Sequence, residues 1–274
     1  MTADDHALAR DLAADAGRRL LGLRAAGGDP EVLRKAGDRL SHEFLAAELA
    51  ARRPGDAVLS EEGVDDRARL AAGRVWIVDP LDGTREFGDA GRTDWAVHVA
   101  LWERAAAAGT GALTAGAVAL PAQGAVLSTV DPPRAPGAPE APAPMTSPAS
   151  PGSAGSRVGP RLRIAVSRSR APRLVRDVAG LLGAELVEIG SAGAKVAAVL
   201  RGEVDAYLHA GGFYEWDTAA PAAVALAGGF HASRIDGSAL AYNRAYPLMP
   251  DILVCRPALA GALLEAIREV THAT

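Results

Sequence analysis

The chain has 274 residues, a formal net charge of −4, 49% hydrophobic and 23% charged residues, which fits one large or two modest soluble domains. That balance gives no cationic footprint for nucleic acid or an anionic membrane, so a phosphate-bearing ligand has to be held by local cations. Cys255 is the only cysteine, which excludes an internal disulfide and a Cys-rich zinc site; with no run of about 18 apolar residues, the expectation is a cytoplasmic protein.

Residues 5–26 set Leu8, Leu12, Ala16, Leu20 and Leu23 at near-helical spacing, which predicts an amphipathic scaffold helix. A second helix is expected over residues 39–53, with Leu40, Phe44, Leu45 and Leu49 inward and Asp38 at or just before its start, as an N-cap or as a functional acid. Pro54-Gly55-Asp56 breaks it, and a short strand, Ala57-Val58-Leu59, leads into Ser60-Glu61-Glu62-Gly63. Adjacent glutamates at a strand end point different ways, so only one reaches a shared site directly. Glu61 is favoured for that, with Glu62 behind it; the plain alternative is a solvated loop.

Val75 to Val78 reads as a buried strand that runs into Asp79-Pro80-Leu81-Asp82-Gly83-Thr84-Arg85-Glu86-Phe87. Pro80 cannot donate to a ladder and Gly83 permits a positive φ, so the strand is expected to end at Asp79 and the chain to turn sharply. Asp79, Asp82 and the Leu81 carbonyl then offer hard oxygens suited to Mg²⁺ or Mn²⁺. Solvated acids in an ordinary Asp-Pro/Asp-Gly turn are the alternative.

Strand character at residues 95–102 and a hairpin or meander over 113–120 and 125–130 complete an α+β half spanning 1–130. His98, inside the first of these strands, reads as a core or edge histidine. Residues 131–160 become a Pro, Ala, Ser and Gly mixture, a flexible and partly extended connector. Residues 161–274 alternate as an α/β half, with strands at 162–166, 185–189, 204–208 and 252–255. Its helices are expected over 172–182, after Ser191, over 218–228 and from 257. Here Glu215-Trp216-Asp217-Thr218-Ala219-Ala220-Pro221 carries a further acid. Pro221 is expected in a helix's first turn, so the helix should begin near Thr218, leaving Asp217 just ahead of it as a metal ligand or a cap.

Taken together, Ser60-Glu61-Glu62, Asp79-Pro80-Leu81-Asp82-Gly83-Thr84 and Trp216-Asp217-Thr218-Ala219-Ala220 resemble the inositol monophosphatase-like superfamily of Mg²⁺-dependent, lithium-sensitive phosphatases. The resemblance covers nearly the whole chain outside 131–160. Leu81, Arg85-Glu86-Phe87, the stretch from Glu215 to Pro221 and Gly190-Ser191-Ala192-Gly193-Ala194-Lys195 resemble its 3′(2′),5′-bisphosphate nucleotidase, or CysQ-type, branch. The resemblance implies a layered αβαβα sandwich with the active site between the halves. It implies that Glu61, Asp79 and the Leu81 carbonyl hold one Mg²⁺, that Asp79, Asp82 and Asp217 hold a second, and that a third sits near Glu61, with Mn²⁺ as a substitute. Thr84 and Asp38 match the pair that orients and deprotonates the attacking water.

On the same ground Gly83, Thr84, Ser167, Arg168, Arg170, Ser191, Gly193 and Lys195 are expected to hold substrate. Arg170 stands where the branch usually has a histidine, and Lys35-Ala36-Gly37 where a Val-Thr dipeptide often precedes the aspartate. Ser191 and Lys195 lie around a predicted helix start, whose N–H groups and ammonium suit a second phosphate. The implied reaction removes the 3′-phosphate of adenosine 3′,5′-bisphosphate to give AMP, with its sulfated precursor as a further substrate, in sulfate assimilation. The implied partner is a small nucleotide, not a nucleic acid or a membrane, and a homodimer is left open. Ala206-Tyr207-Leu208-His209 stands where inositol phosphatases tend to have a glutamate, which argues against inositol. The alternatives are an inositol or fructose bisphosphate phosphatase with the same metals, and a non-catalytic binding protein on the same fold.

Overall fold

The computed structural model describes residues 4–105, 111–136, 161–168 and 171–272. Helix α1 (Asp5–Ala25) buries Leu8, Leu12, Ala16 and Leu20 as its spacing requires. Helix α2 (Pro30–Arg52) begins well before the expected residue 39. Asp29 accepts the N–H groups of Glu31 and Val32, and Pro30 takes the first helical position, where a missing N–H costs nothing. Asp38 is therefore an interior helical residue and not a cap. The inward ridge is Leu33, Gly37, Ser41, Leu45 and Leu49, with Leu40 and Phe44 half-buried beside it. Gly37 admits the side chains of Phe87 and Leu81, which a Cβ there would meet at 2.7 and 2.9 Å.

The first sheet is ordered β1 (Ala57–Ser60), β2 (Arg74–Asp82), β3 (Ala96–Arg104), β4 (Gly111–Leu120) and β5 (Ala125–Ser128). Only the β1–β2 pair is parallel. Alternation sorts its residues: Trp76, Val78, Val97 and Val99 face α1 and α2, while Val75, Ile77, Ala96 and Ala100 face the opposite way. A short helix, α3 (Thr84–Gly88), follows β2. After β5 the chain stays docked through Ala135, which is 4% exposed and donates its N–H to the Gly228 carbonyl at 2.9 Å. The first residues of the expected connector are thus packed; residues 137–160 lie outside the described residues.

The second sheet is ordered β7 (Glu185–Ile189), β6 (Arg163–Ser167), β8 (Ala206–Tyr214), β10 (Leu248–Cys255) and β9 (His231–Ser233). β6 is parallel to β7 and β8, whereas β10 runs antiparallel to β8 and β9. β8 and β10 exceed the expected strands, and β9 was not expected. Helices α4 (Arg173–Leu182) and α7 (Ala260–His272) cover its outer face.

Helices α5 (Ala192–Leu200) and α6 (Glu215–Ala227) fill the space between the sheets. Ala194, Ala197, Ala219 and Ala220 pack on the first sheet; Ala198, Val199, Val224 and Ala225 pack on the second. The five layers are those of an αβαβα sandwich. Small side chains let the layers close: a Cβ on Gly116 of β4 would meet the Ala223 Cβ at 2.7 Å.

Helix α6 starts three residues before the expected Thr218. Asp217 closes a capping box, its Oδ2 accepting the Tyr214 N–H at 2.7 Å, so the helix nucleates at Glu215. Pro221 consequently lies inside the helix, where it leaves the Asp217 carbonyl without a helical donor. Close packing on both sides holds the helix in spite of that loss. Among the described residues no helix is long and apolar enough to cross a membrane.

Candidate active site between the two sheets

In a regular strand Asp79 and Asp82, three residues apart, would point to opposite faces. β2 does not end at Asp79 as expected: it pairs with β3 through Asp79↔His98 and again through Asp82↔Ala96, with the register shifting between. This bulge absorbs Pro80, which has no N–H for the ladder. It also turns Leu81 into the α1/α2 core and returns Asp82 to the inner face. Leu81 donates its N–H to Asp79 Oδ1 at 3.0 Å, fixing that carboxylate, and Gly83 takes the positive φ of +86° that ends the strand. Asp217 enters from α6. Ligand oxygens of Asp79, Asp82 and Asp217 lie within 4.8 Å of one another.

Asp82 is buried but well supplied. It accepts the N–H groups of Ala192 at 3.2 Å and Gly193 at 2.6 Å, at the N-terminus of α5, and His98 Nε2 stands 3.2 Å away. Burial pushes its carboxyl up, but the charge of His98, the Gly193 N–H and the Lys195 ammonium outweigh that and hold it below the usual range. Gly193 is required here because a Cβ would overlap His98 Nε2. His98 Nδ1 lies 3.1 Å from the Trp216 carbonyl, so the ring ties β3 to the start of α6. Burial opposes its charge, yet Asp82 raises its pKa. Sequence reading took His98 for a core or edge histidine; the available signal for its place beside the acids was alternation, which sets it on the same face as Ala96 and Ala100.

The other acids are short of positive charge. Burial first, then the neighbouring carboxylates Glu61, Asp82 and Asp217, push Asp79 far above the ordinary range. Burial and Asp82 push Asp217 up to about 7. Glu61 is exposed as a residue, but partial burial of its carboxyl lifts it to about 7 while it shares a hydrogen bond with Asp79. Two carboxyl groups hydrogen-bond only when a proton lies between them. At an effective dielectric of about 20, charges 4.8 Å apart repel by about 3.5 kcal/mol. One charge-assisted hydrogen bond, about 1.5–3 kcal/mol, does not offset two such repulsions. The cluster therefore holds protons or a cation, and an all-oxygen carboxylate set fits a hard divalent ion.

Thr84 Oγ1 lies 3.3 Å from Asp38 Oδ1 and 3.1 Å from the Leu81 carbonyl. The interior position of Asp38 in α2 aims its carboxylate at the start of α3. Burial and the charge of Glu62 raise Asp38 to about 6, against the Thr84 hydrogen bond. Glu62 itself is exposed.

The expected substrate residues divide. Gly83 packs against Ser191 across the layers, where an added Cβ would stand 2.9 Å from the serine Cβ. The α5 N–H groups expected to meet a phosphate are already used: Asp82 takes those of Ala192 and Gly193, and the Ser191 hydroxyl takes that of Ala194 at 2.9 Å. Lys195, 2% exposed, donates to the Gly190 carbonyl and lies 3.5 Å from Ser167 Oγ. Arg168 is half-exposed and held by Glu86 at 3.2 Å and Asp89 at 3.7 Å. Arg170 lies outside the described residues. Two ring pairs went unforeseen near Asp217: His209 stacks on Phe213 at 3.9 Å and Tyr214 on Trp216 at 4.7 Å.

A sequence model described as the inositol monophosphatase family matches residues 9–272. A 3′-phosphoadenosine 5′-phosphate phosphatase of Mycobacterium leprae (strain TN) is 52% identical over 271 residues, covering 97% of this chain and 94% of its own. Its counterpart in Mycobacterium tuberculosis (strain CDC 1551 / Oshkosh) is 52% identical over 260 residues, 93% of this chain and 90% of its own. Among solved structures, inositol monophosphatase-II from Staphylococcus aureus MSSA476 superposes with a TM-score of 0.72 at 21% identity, covering 96% of this chain and 95% of that one. That likeness speaks to the fold.

Proposed function

Because the chain belongs to the inositol monophosphatase family, we propose that it is a Mg²⁺-dependent phosphatase that removes the 3′-phosphate of adenosine 3′,5′-bisphosphate. The products are AMP and phosphate, and the sulfated precursor is a further substrate. The observation that carries the chemistry is the meeting of Asp79, Asp82 and Asp217 within 4.8 Å, beside the Thr84–Asp38 pair. The nucleotide follows from relatives of that name at 52% identity along almost the whole chain.

Glu61, Asp79, Asp82, Asp217 and the Leu81 carbonyl are the groups that would hold two or three Mg²⁺ ions, or Mn²⁺ in their stead. When bound, these ions neutralise the phosphoryl oxygens and acidify a water. The residues supply the rest. Asp38, titrating near 6, is largely ionised at neutral pH and able to take a proton. Thr84 has one hydroxyl proton for two acceptors; given to Asp38, it leaves the oxygen lone pairs free to accept from water and orient it. Asp82, kept ionised by α5, gives the site a fixed negative charge that does not wait on pH. To the rest of the substrate we assign Ser167, Arg168, Ser191, Gly193 and Lys195, together with Arg170, which lies outside the described residues, and the flat ring pairs of β8 and α6 are available to a purine. A phosphate reaching Lys195 would take the place of the Gly190 carbonyl. Residues 1–130 and 161–274 act in this scheme as two halves of one catalytic unit, in the cytoplasm, with 131–160 as their connector and sulfate assimilation as the setting.

Phosphate release from adenosine 3′,5′-bisphosphate, inositol 1-phosphate and fructose 1,6-bisphosphate, each with Mg²⁺ and with chelator, tests the assignment. Mg²⁺-dependent preference for the nucleotide is expected. A preference for inositol phosphate, or turnover indifferent to chelator, would overturn it.

A further inference from the structure

A second polar cluster, built from neither metal-facing acids nor substrate residues, joins the halves behind the site. Arg69, in a short 3-10 helix (Arg67–Leu70) that follows the turn at Glu61, is 1% exposed. Its guanidinium donates to Asp65 at 2.6 and 3.0 Å, to Asn243 Oδ1 at 2.7 Å and to the Arg244 carbonyl at 2.9 Å. Asn243 answers through Nδ2, which donates to the Arg69 carbonyl at 3.2 Å. Glu215, fully buried, accepts the backbone N–H groups of Asn243 at 2.7 Å and Arg244 at 2.8 Å. Asn243 is the one described residue other than glycine with a positive φ, +58°, a conformation asparagine tolerates and most residues do not.

Three features make this more than ordinary cohesion. A buried ionic network is a costly way to hold two segments together, since apolar side chains of the same volume do so as well or better; what charges add is a fixed geometry. The network also begins and ends beside the acids. Asp65, gripped in bidentate fashion by Arg69, is four residues after Glu61, and Glu215 occupies the first position of α6, two residues before Asp217. Finally, Glu61 and Asp217 come from opposite halves of the chain, so no single element fixes their separation.

We propose that Arg69, Asn243 and Glu215 are positioning residues that strap the loop after Glu61 to the start of α6 and thereby set the spacing of the carboxylates meant for the divalent ions. This rests on the metal-dependent reading above. The strap touches neither substrate nor ion; it acts through Glu61 and Asp217. Groups that hydrogen-bond metal ligands directly are worth about 10–100-fold in metal affinity when removed; the strap acts one step further away, so the lower end of that range is expected.

The test uses the full chain, with Mn²⁺ binding followed by electron paramagnetic resonance and Mg²⁺ activation followed by phosphate release. Asn243→Gly keeps the left-handed backbone and deletes the two side-chain hydrogen bonds between Asn243 and Arg69, leaving the one from Arg69 to the Arg244 carbonyl. It is expected to raise the Mn²⁺ dissociation constant and the Mg²⁺ concentration for half-activation by about tenfold, with kcat at saturating Mg²⁺ within about threefold of wild type and far-UV circular dichroism unchanged. Arg69→Met, which also removes the bond to the Arg244 carbonyl, should do as much or more, and the two effects should be less than additive in the double variant, because both remove the Arg69–Asn243 bond. If Arg69→Met does not fold, Asn243→Gly decides. Variants that bind Mn²⁺ as tightly as wild type, or that lose kcat with no change in metal dependence, overturn the proposal. A wild-type chain that binds no Mn²⁺ removes the underlying reading instead, and is told apart by that result alone.

Discussion

Helices α5 and α6 both reach the acidic cluster with their N-termini, one offering N–H groups and the other a carboxylate. At α5 the free amides of Ala192 and Gly193 serve Asp82, which stays ionised although it is buried. At α6 Asp217 uses one oxygen to cap its own helix and meets Asp82 with the other side of the charge balance unfilled, so its carboxyl rises to about 7. Two aspartates within 4.8 Å thus titrate in opposite directions. What separates them is the supply of fixed donors, not depth of burial. The site is assembled from one acid whose charge is built in and several whose charge is released when a cation arrives.

That contrast predicts opposite outcomes for two similar substitutions. Asp79→Asn should lower turnover about 10³-fold, since it removes a group shared by the proposed ions. In the metal-free protein it should nevertheless raise the melting temperature at pH 8, because it removes a carboxyl whose ionisation is opposed by burial and neighbouring carboxylates, a cost the unfolded chain does not bear. Asp82→Asn should lower the melting temperature, by about 1.5–3 kcal/mol of stability, as it weakens charge-assisted bonds from α5 and strands His98. Thermal unfolding of both variants in chelator decides the matter, and equal signs would break the distinction.

Asp38→Asn should cost about 10²-fold in kcat while leaving metal binding intact, and should remove the acid limb of the rate profile near pH 6. Retention of that limb in the variant would assign it elsewhere.

The distinction extends to pH. Asp217 and Glu61 have folded pKa values above their unfolded ones, so their contribution to stability is full below about pH 4 and is lost as pH rises through about 7; Asp79 is shifted in the same direction. Metal-free protein should therefore melt progressively lower between pH 5 and 8, and saturating Mg²⁺ should abolish the decline. Calorimetric binding in two buffers should register more proton release at about pH 6 than at about pH 8.5, where Glu61 and Asp217 are already ionised. Asp82, with its lowered pKa, contributes stability above the ordinary carboxylate range and loses it only on strong acidification. The smallest effect belongs to Gly193→Ala, expected to cost about 1–3 kcal/mol as the new methyl drives α5 away from His98. Denaturant unfolding at pH 7 measures it.

The leading acids were legible in the sequence, because apolar strands that stop on aspartates carry their own punctuation, whereas the layer order came from the resemblance of the acidic motifs to a known family. Helix boundaries were less so. Asp29-Pro30 is a strong start signal for α2, yet the apolar spacing from Leu40 onward drew the boundary too late and left a cap open for Asp38 beside its reading as a functional acid. For α6 the proline rule misled: a capping box at Tyr214 and Asp217, with dense packing around Ala219 and Ala220, outweighs an interior Pro221. The pairing of Asp79 with Asp82 on one face depends on a bulge, which only the β3 partner strand reveals. The α5 amides were expected for a phosphate because nothing in the primary order brings Asp82 to them from more than a hundred residues away.

The chain contains just two lysines, Lys35 and Lys195. Lys35 has a side chain 75% exposed, whereas Lys195 is sealed at 2% between α5 and β8. An acylating reagent should mark the first at once and the second only when the layers part. The time course of that second mark, read by mass spectrometry, would make the chain its own gauge of breathing, and its slowing on addition of nucleotide would report occupancy without any assay of turnover.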